Sequence, residues 1–241
     1  MMKREYICGI GLAFLIAVLF SPVLALGQVV TIGWQVSGSG LQSGTIETDL
    51  DWDEIYANPD TIYTWDLENP IEVVLAAGNV ATIDGLSIGV EADPRITFGF
   101  AATAGTTNTH FVFTSNVLPV SPALFNAQGS ASASVTFGDP GDSLTGNFGT
   151  KAYRSIYNGS QIFADLIDTP AYYPSGSGFV GSTPIAGVVT SMQAMWDVTV
   201  SAGGSASGSS RFTILGDVIP EPATMSLLGL GGLALLRKRR A

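Results

Sequence analysis

His110, set in Asn108-Thr109-His110-Phe111-Val112-Phe113, is the one imidazole of a 241-residue sequence. One imidazole is enough for a Ser–His–Asp relay, in which a single base activates a hydroxyl. Gly85-Leu86-Ser87-Ile88-Gly89 has the Gly-x-Ser-x-Gly spacing, but it lies in a strand-like apolar run rather than at a strand-to-helix turn, so no serine reads as a nucleophile elbow. Strand alternation places His110 opposite Phe111 and Phe113, so the expectation is a surface histidine rather than a catalytic base. Zinc needs three or four His and Cys ligands. The only cysteine, Cys8, lies in the apolar N-terminal run. The acidic residues supply many carboxylate pairs that a glycosidase would need, but no spacing singles one out. Calcium is the sharper metal candidate. Asp49, Asp51, Asp53 and Asp60 follow an EF-hand-like alternation, with Glu54 where that loop requires glycine. As a strand, the same residues form a solvated acidic edge with Leu50 and Trp52 turned inward, and that is the expectation.

The elements that would position these residues read as all-β. Runs of Val, Ile, Thr and aromatics alternate with Gly, Ser, Asn and Pro breaks. Strands are expected at residues 29–36, 61–65, 71–76, 86–91, 96–101, 110–114, 131–137, 152–157, 161–167, 192–200 and 211–215. Ile96, Phe98 and Phe100 share one face, as do Trp196, Val198 and Val200. Asn158-Gly159 marks a tight hairpin, because both residues tolerate positive φ. The same Asn158-Gly159-Ser160 fits an N-glycosylation pattern, which the hairpin explains without a glycan. Gly203 to Ser209 reads as a flexible connection, and no stretch of the domain has helical periodicity. Strands at this spacing imply a β-sandwich, jelly-roll or immunoglobulin-like.

Both ends differ from this middle. Lys3 and Arg4 precede an apolar run, Ile7 to Phe20, and small residues follow, with cleavage placed after Ala25 or Gly27. This is the pattern of a secretory signal peptide over residues 1–27. Its removal leaves no cysteine, so stability must come from a core rather than disulfides. Between the ends, four basic residues stand against eighteen acidic ones, a net charge of −14. Such a surface repels nucleic acid and anionic lipid and excludes a nucleic-acid role. At the other end, Pro220-Glu221-Pro222 is held extended by its prolines. An apolar segment, Ala223 to Leu236, follows, then Arg237, Lys238, Arg239 and Arg240. As a helix, 223–236 would measure about 21 Å, short of the roughly 30 Å bilayer core, with Arg237 and Lys238 snorkelling to cover the gap. The four basic residues would hold its end in the cytoplasm. No Leu-Pro-x-Thr-Gly sortase signal is present.

This tail, residues 218–241, resembles the PEP-CTERM sorting signal, a tag also labelled "ice-binding protein C-terminal". Ice binding would call for a repeated Thr-x-Thr array, and Thr106-Thr107-Asn108-Thr109 is a single cluster. The resemblance implies export, signal peptidase and exosortase as processing partners, transient anchoring in the inner membrane through helix 223–236, and release to the outer surface or medium. The domain plan is thus signal peptide 1–27, β-sandwich ectodomain 28–217 and sorting signal 218–241. Two roles for the ectodomain follow. The expected one is a non-enzymatic surface, biofilm or matrix protein without a cofactor. The alternative is a carbohydrate-binding or carbohydrate-active module acting on extracellular polysaccharide, for which Tyr172, Tyr173, Trp52 and Trp65 are the candidate exposed aromatics.

Overall fold

In the computed structural model, residues 29–58 and 61–218 are described. The strands, in chain order, begin with β1 (Val29–Ser37), β2 (Leu41–Asp51), β3 (Tyr63–Asp66), β4 (Ile71–Val74) and β5 (Val80–Glu91). Next come β6 (Arg95–Thr103), β7 (Thr109–Ser115), β8 (Leu118–Phe137), β9 (Ser143–Gly146) and β10 (Lys151–Tyr157). The last are β11 (Gln161–Asp168), β12 (Ala171–Tyr172), β13 (Ser175–Pro184), β14 (Val189–Val200) and β15 (Ser205–Val218). A six-residue helix, α1 (Trp52–Ala57), interrupts them. The fold is all-β, as the alternation requires.

All strands join one antiparallel sheet, whose main path runs β2-β1-β7-β14-β8-β15-β6-β5-β3. β14 is the junction. One edge of it takes β7 at Met195–Val200 and then β8 at Val189–Met192, and the other takes β10 at Met192–Trp196 and β9 at Val198–Val200. β8 is long enough to leave β14 and continue between β13 and β15. The sheet thus folds back on itself and nearly closes, with β2 against β3 on one side and β11 against β13 on the other.

The interior follows from period-two alternation. Ile96, Phe98, Phe100 and Ala102 of β6 are buried, and so are Ala194, Trp196, Val198 and Val200 of β14. Trp196 sits at the centre, with Phe100 and Tyr153 rings each 5.0 Å away. Phe100 also stacks on Phe113 at 5.3 Å. Across the interior, the Trp196 indole N–H donates to the Phe98 carbonyl at 3.3 Å, and the Ser210 hydroxyl donates to the same oxygen at 2.9 Å. Rings of this size leave room only for small residues opposite. A methyl on Gly208 would fall inside contact distance of the Phe100 and Trp196 rings.

Two local expectations change, and one holds. Gly203 to Ser209 is not a flexible link. After a turn at Ala202–Gly203, Ser205 onward pairs with both β6 and β8, because its small residues are what the aromatic interior admits. Helix α1 forms without periodicity in the sequence. The Asp51 carboxylate caps it by accepting the Asp53 N–H at 2.8 Å, Asp53 and Glu54 sit in its first turn, and Trp52 and Ile55 anchor it in the core. The Asn158 hairpin forms as expected between β10 and β11, with Asn158 and Gly159 at φ of 50° and 73°. The Asn158 side-chain amide is also engaged, donating to the Val188 carbonyl and accepting from the Thr190 N–H and hydroxyl.

The Tyr153 hydroxyl is buried and makes no hydrogen bond. Burial pushes its phenol well above the usual value. Tyr153→Phe should therefore leave stability unchanged or raise it by up to about 1 kcal/mol, since a stranded polar group is removed. Gly208→Ala should cost about 1–3 kcal/mol by overpacking. Chemical denaturation of both variants checks this pair, and a clear loss of stability in Tyr153→Phe would mean that its hydroxyl is satisfied.

Candidate functional site

β1, β7 and β14 lie side by side, and their outward residues meet on the sheet's outer face. Ser37 pairs directly with His110, and His110 with Thr199, while Asp197 lies one diagonal step away opposite Val112. The His110 ring is therefore held at both ends. Nε2 lies 2.6 Å from Asp197 Oδ1, and Nδ1 lies 3.1 Å from Ser37 Oγ. The carboxylate only accepts, so it takes the Nε2 proton, and in the neutral ring Nδ1 is left to accept from the Ser37 hydroxyl.

Asp197 Oδ1 also accepts from Asn147 Nδ2 at 2.8 Å. Burial alone would raise the Asp197 pKa. The hydrogen bonds from His110 and Asn147, with the charges of His110 and Arg154, outweigh it and hold the carboxyl below its ordinary value. Arg154 is fixed by a two-pronged bond to Asp165, at 2.7 and 2.8 Å, and lies over the Phe148 ring at 4.3 Å.

Hydroxyl, imidazole and carboxylate are the parts of a nucleophilic relay, and sequence reasoning did not bring Ser37 and Asp197 to His110. They are 73 and 87 residues from it in the chain, so only the strand order could have shown it. His110 does face outward, as expected, but is half-buried in this network. Its connections are reversed relative to the serine-hydrolase template, where serine meets Nε2 and aspartate Nδ1. The N–H of the next residue, Gly38, is committed to the Gly40 carbonyl at 3.0 Å.

Concavities open elsewhere, and His110 lines none of these three. A groove of about 640 Å³ runs over β13, β8 and β15, walled by Phe179 and Arg211 above Ser134 and Ser209. One of about 410 Å³ lies where α1 meets the end of β15, beside Tyr56, Pro122 and Val218. A third, of about 270 Å³, is bounded by Asp66, Leu67 and Ser87. At the second, burial pushes the Tyr56 phenol up to about 12 against the opposing bond from the Ser121 N–H. Its hydroxyl donates to the Pro119 carbonyl at 2.7 Å and ties α1 to β8.

The other sequence candidates disperse. Asp49 and Asp53 are exposed, Asp51 is used as the α1 cap, and Asp60 lies outside the described residues. Among the described residues no His, Cys, Asp and Glu side chains cluster in a way that could hold a metal. Trp52 is buried and Trp65 half-buried against the core, so neither contributes to an aromatic row. Tyr172 and Tyr173 are exposed, as is Phe179 on β13. The signal peptide 1–27, Pro220, Glu221, Pro222, the apolar stretch 223–236 and Arg237, Lys238, Arg239 and Arg240 lie outside the described residues. Among the described residues no helix is long and apolar enough to cross a membrane.

These features describe an acidic, cysteine-free strand body joined to a terminal signal. Residues 218–240 match the family model of the PEP-CTERM protein-sorting motif. The chain therefore carries that motif, which marks an exported, surface-directed protein processed by exosortase. The comparison with curated proteins gives no match.

The His110 network has a signed pH consequence. A carboxylate with a lowered folded pKa stabilises the fold above its unfolded value of about 4, and that contribution is lost as pH falls through the folded value. Asp197→Asn should melt below the native protein at neutral pH. The native melting temperature should then fall more steeply below about pH 4, so that the two curves converge. Parallel curves across the acid range would show that Asp197 carries no such linkage.

Proposed function

We propose that this chain is a non-enzymatic surface or extracellular-matrix protein, a biofilm or envelope component delivered by the exosortase route. The observation that carries the reading is the motif at residues 218–240. Signal peptidase would remove 1–27. Exosortase would cut near Pro220–Pro222 and discard the apolar 223–236 with its basic stop, after transient residence in the inner membrane. The exported body is a β-sandwich, read from the way Trp196 and Phe98 face one another across the interior. It needs no cofactor in this reading, and calcium is not required.

The Ser37–His110–Asp197 network is read as a cross-strand tie, not a catalytic relay. Supporting this are the reversed ring connections, the committed Gly38 amide and the position on an outer sheet face. A carbohydrate-binding role is the second reading, favoured by the exposure of Tyr172, Tyr173 and Phe179.

Intact mass of the protein from cells with and without a working exosortase tests the route. Loss of residues 1–25 or 1–27 together with those after Pro222, only where exosortase is present, is the expected result. A full C-terminus held in the membrane fraction of both strains would refute it. For the non-enzymatic reading, a fluorophosphonate probe should leave Ser37 unmodified, and phosphonylation that disappears in His110→Gln would make the network a nucleophilic site.

A further inference from the structure

Phe179, Ser132, Arg211 and Thr97 stand in one register row across β13, β8, β15 and β6. Ser177, Ser134 and Ser209 form the row beside it. The two rows are the outer face of the small-residue strands that the aromatic interior demands. The only long side chains rising from the groove they floor are the Phe179 ring and the Arg211 guanidinium.

Phe179 is 73% exposed, the most exposed of the large apolar side chains among the described residues. Among the same residues, Arg95, Lys151 and Arg154 each pair with a carboxylate, and Arg211 pairs with none. No Asp or Glu lines the groove. In a body of net charge −14, that is a local reversal of sign. The ring and the guanidinium are two strands apart, about 10 Å at the usual strand spacing.

We propose that this groove binds a polysaccharide segment carrying carboxylate groups, a uronic-acid type of chain. The exposed Phe179 ring offers an apolar face for the C–H face of one sugar ring. Arg211 offers paired N–H donors for the carboxylate of a neighbouring sugar. The serine hydroxyls between them both donate and accept, matching sugar hydroxyls without adding charge. Ser134 and Ser209 lie 3.3 Å apart, within reach of one another, and remain exposed, so their further hydrogen-bonding capacity faces the groove. Repulsion from the acidic residues elsewhere is screened beyond about 8 Å at physiological ionic strength. The carboxylate contact itself is local.

The inference extends the surface reading by naming a ligand class, and it stands apart from the sorting step. The test is calorimetric titration of the full chain, in detergent and at physiological salt, with oligogalacturonate and with an uncharged gluco-oligosaccharide of equal length. Oligogalacturonate should bind, and Arg211→Ala and Phe179→Ala should each weaken it about tenfold or more. Arg211→Lys should retain part of the affinity, and Tyr172→Ala, outside the groove, all of it. Both groove side chains are exposed, so unchanged melting temperatures will separate lost binding from lost folding.

Absence of oligogalacturonate binding would overturn the proposal. So would affinity that survives both alanine variants, or equal affinity for the uncharged oligomer that is indifferent to Arg211. Self-association of the chain abolished by Phe179→Ala would overturn it in favour of a second copy as the occupant. Intact mass reports on the sorting route independently of every one of these outcomes.

Discussion

The fold depends on how the space around Trp196 is filled. Its indole is fully buried, touches Phe100 and Tyr153, and sends its N–H across the interior to the Phe98 carbonyl. A backbone carbonyl of a sheet strand can accept a second bond only where neighbouring side chains let a donor approach. Ser210 donates to the same oxygen, which makes this point of β6 a polar knot inside an apolar core. Bulk on β14, β10 and β7 then dictates smallness on β15. Ala206, Gly208 and Ser210 are the inward residues that face those rings. The low side-chain content of the C-terminal strands is thus a packing consequence rather than a sign of looseness.

The outer faces repeat this division in polar terms. Around β1, β7 and β14 the surface is knitted by Ser37, His110, Asp197 and Asn147. Around β10 and β11 it is knitted by Arg154 with Asp165 and Lys151 with Asp168. With so few cations in an acidic body, pairing three of them with carboxylates lowers local repulsion where strands approach. The partly exposed pairs contribute modestly each. What they do is fix register in a sheet that has no disulfide to pin it.

The legible parts of this fold were those set by local rules. Alternation in 95–103 and 189–200 identified the inward faces, and Asn158-Gly159 identified the β10–β11 turn. The sorting motif was legible because its order of prolines, apolar run and basic stop is contiguous. What was hidden depended on tertiary partners. β13 and the first half of β15 are Gly/Ser-rich, and low-volume residues carry little strand propensity until an aromatic layer selects them. Their Ser-Gly-Ser and Ser-Ala-Ser alternation was nevertheless a period-two signal, polar outward and small inward. α1 rests on one cap and two buried side chains, too short for periodicity to show. The His110 network required knowing that β7 lies between β1 and β14, an order no local pattern encodes.

The last strand has a mechanical meaning. β15 is bonded along one edge to β6 from Ser205 to Thr213 and along the other to β8 from Ala206 to Val218. From Val218 the sequence passes through Ile219 directly to Pro220, without an intervening spacer. A pull directed along β15 from that end therefore enters a strand paired with β8 at its last residues and flanked on both sides further in. Its hydrogen bonds would be loaded together in shear rather than peeled one by one. A protein tethered or drawn through its C-terminus would carry the load on a strand seated inside its own sheet rather than on a free edge.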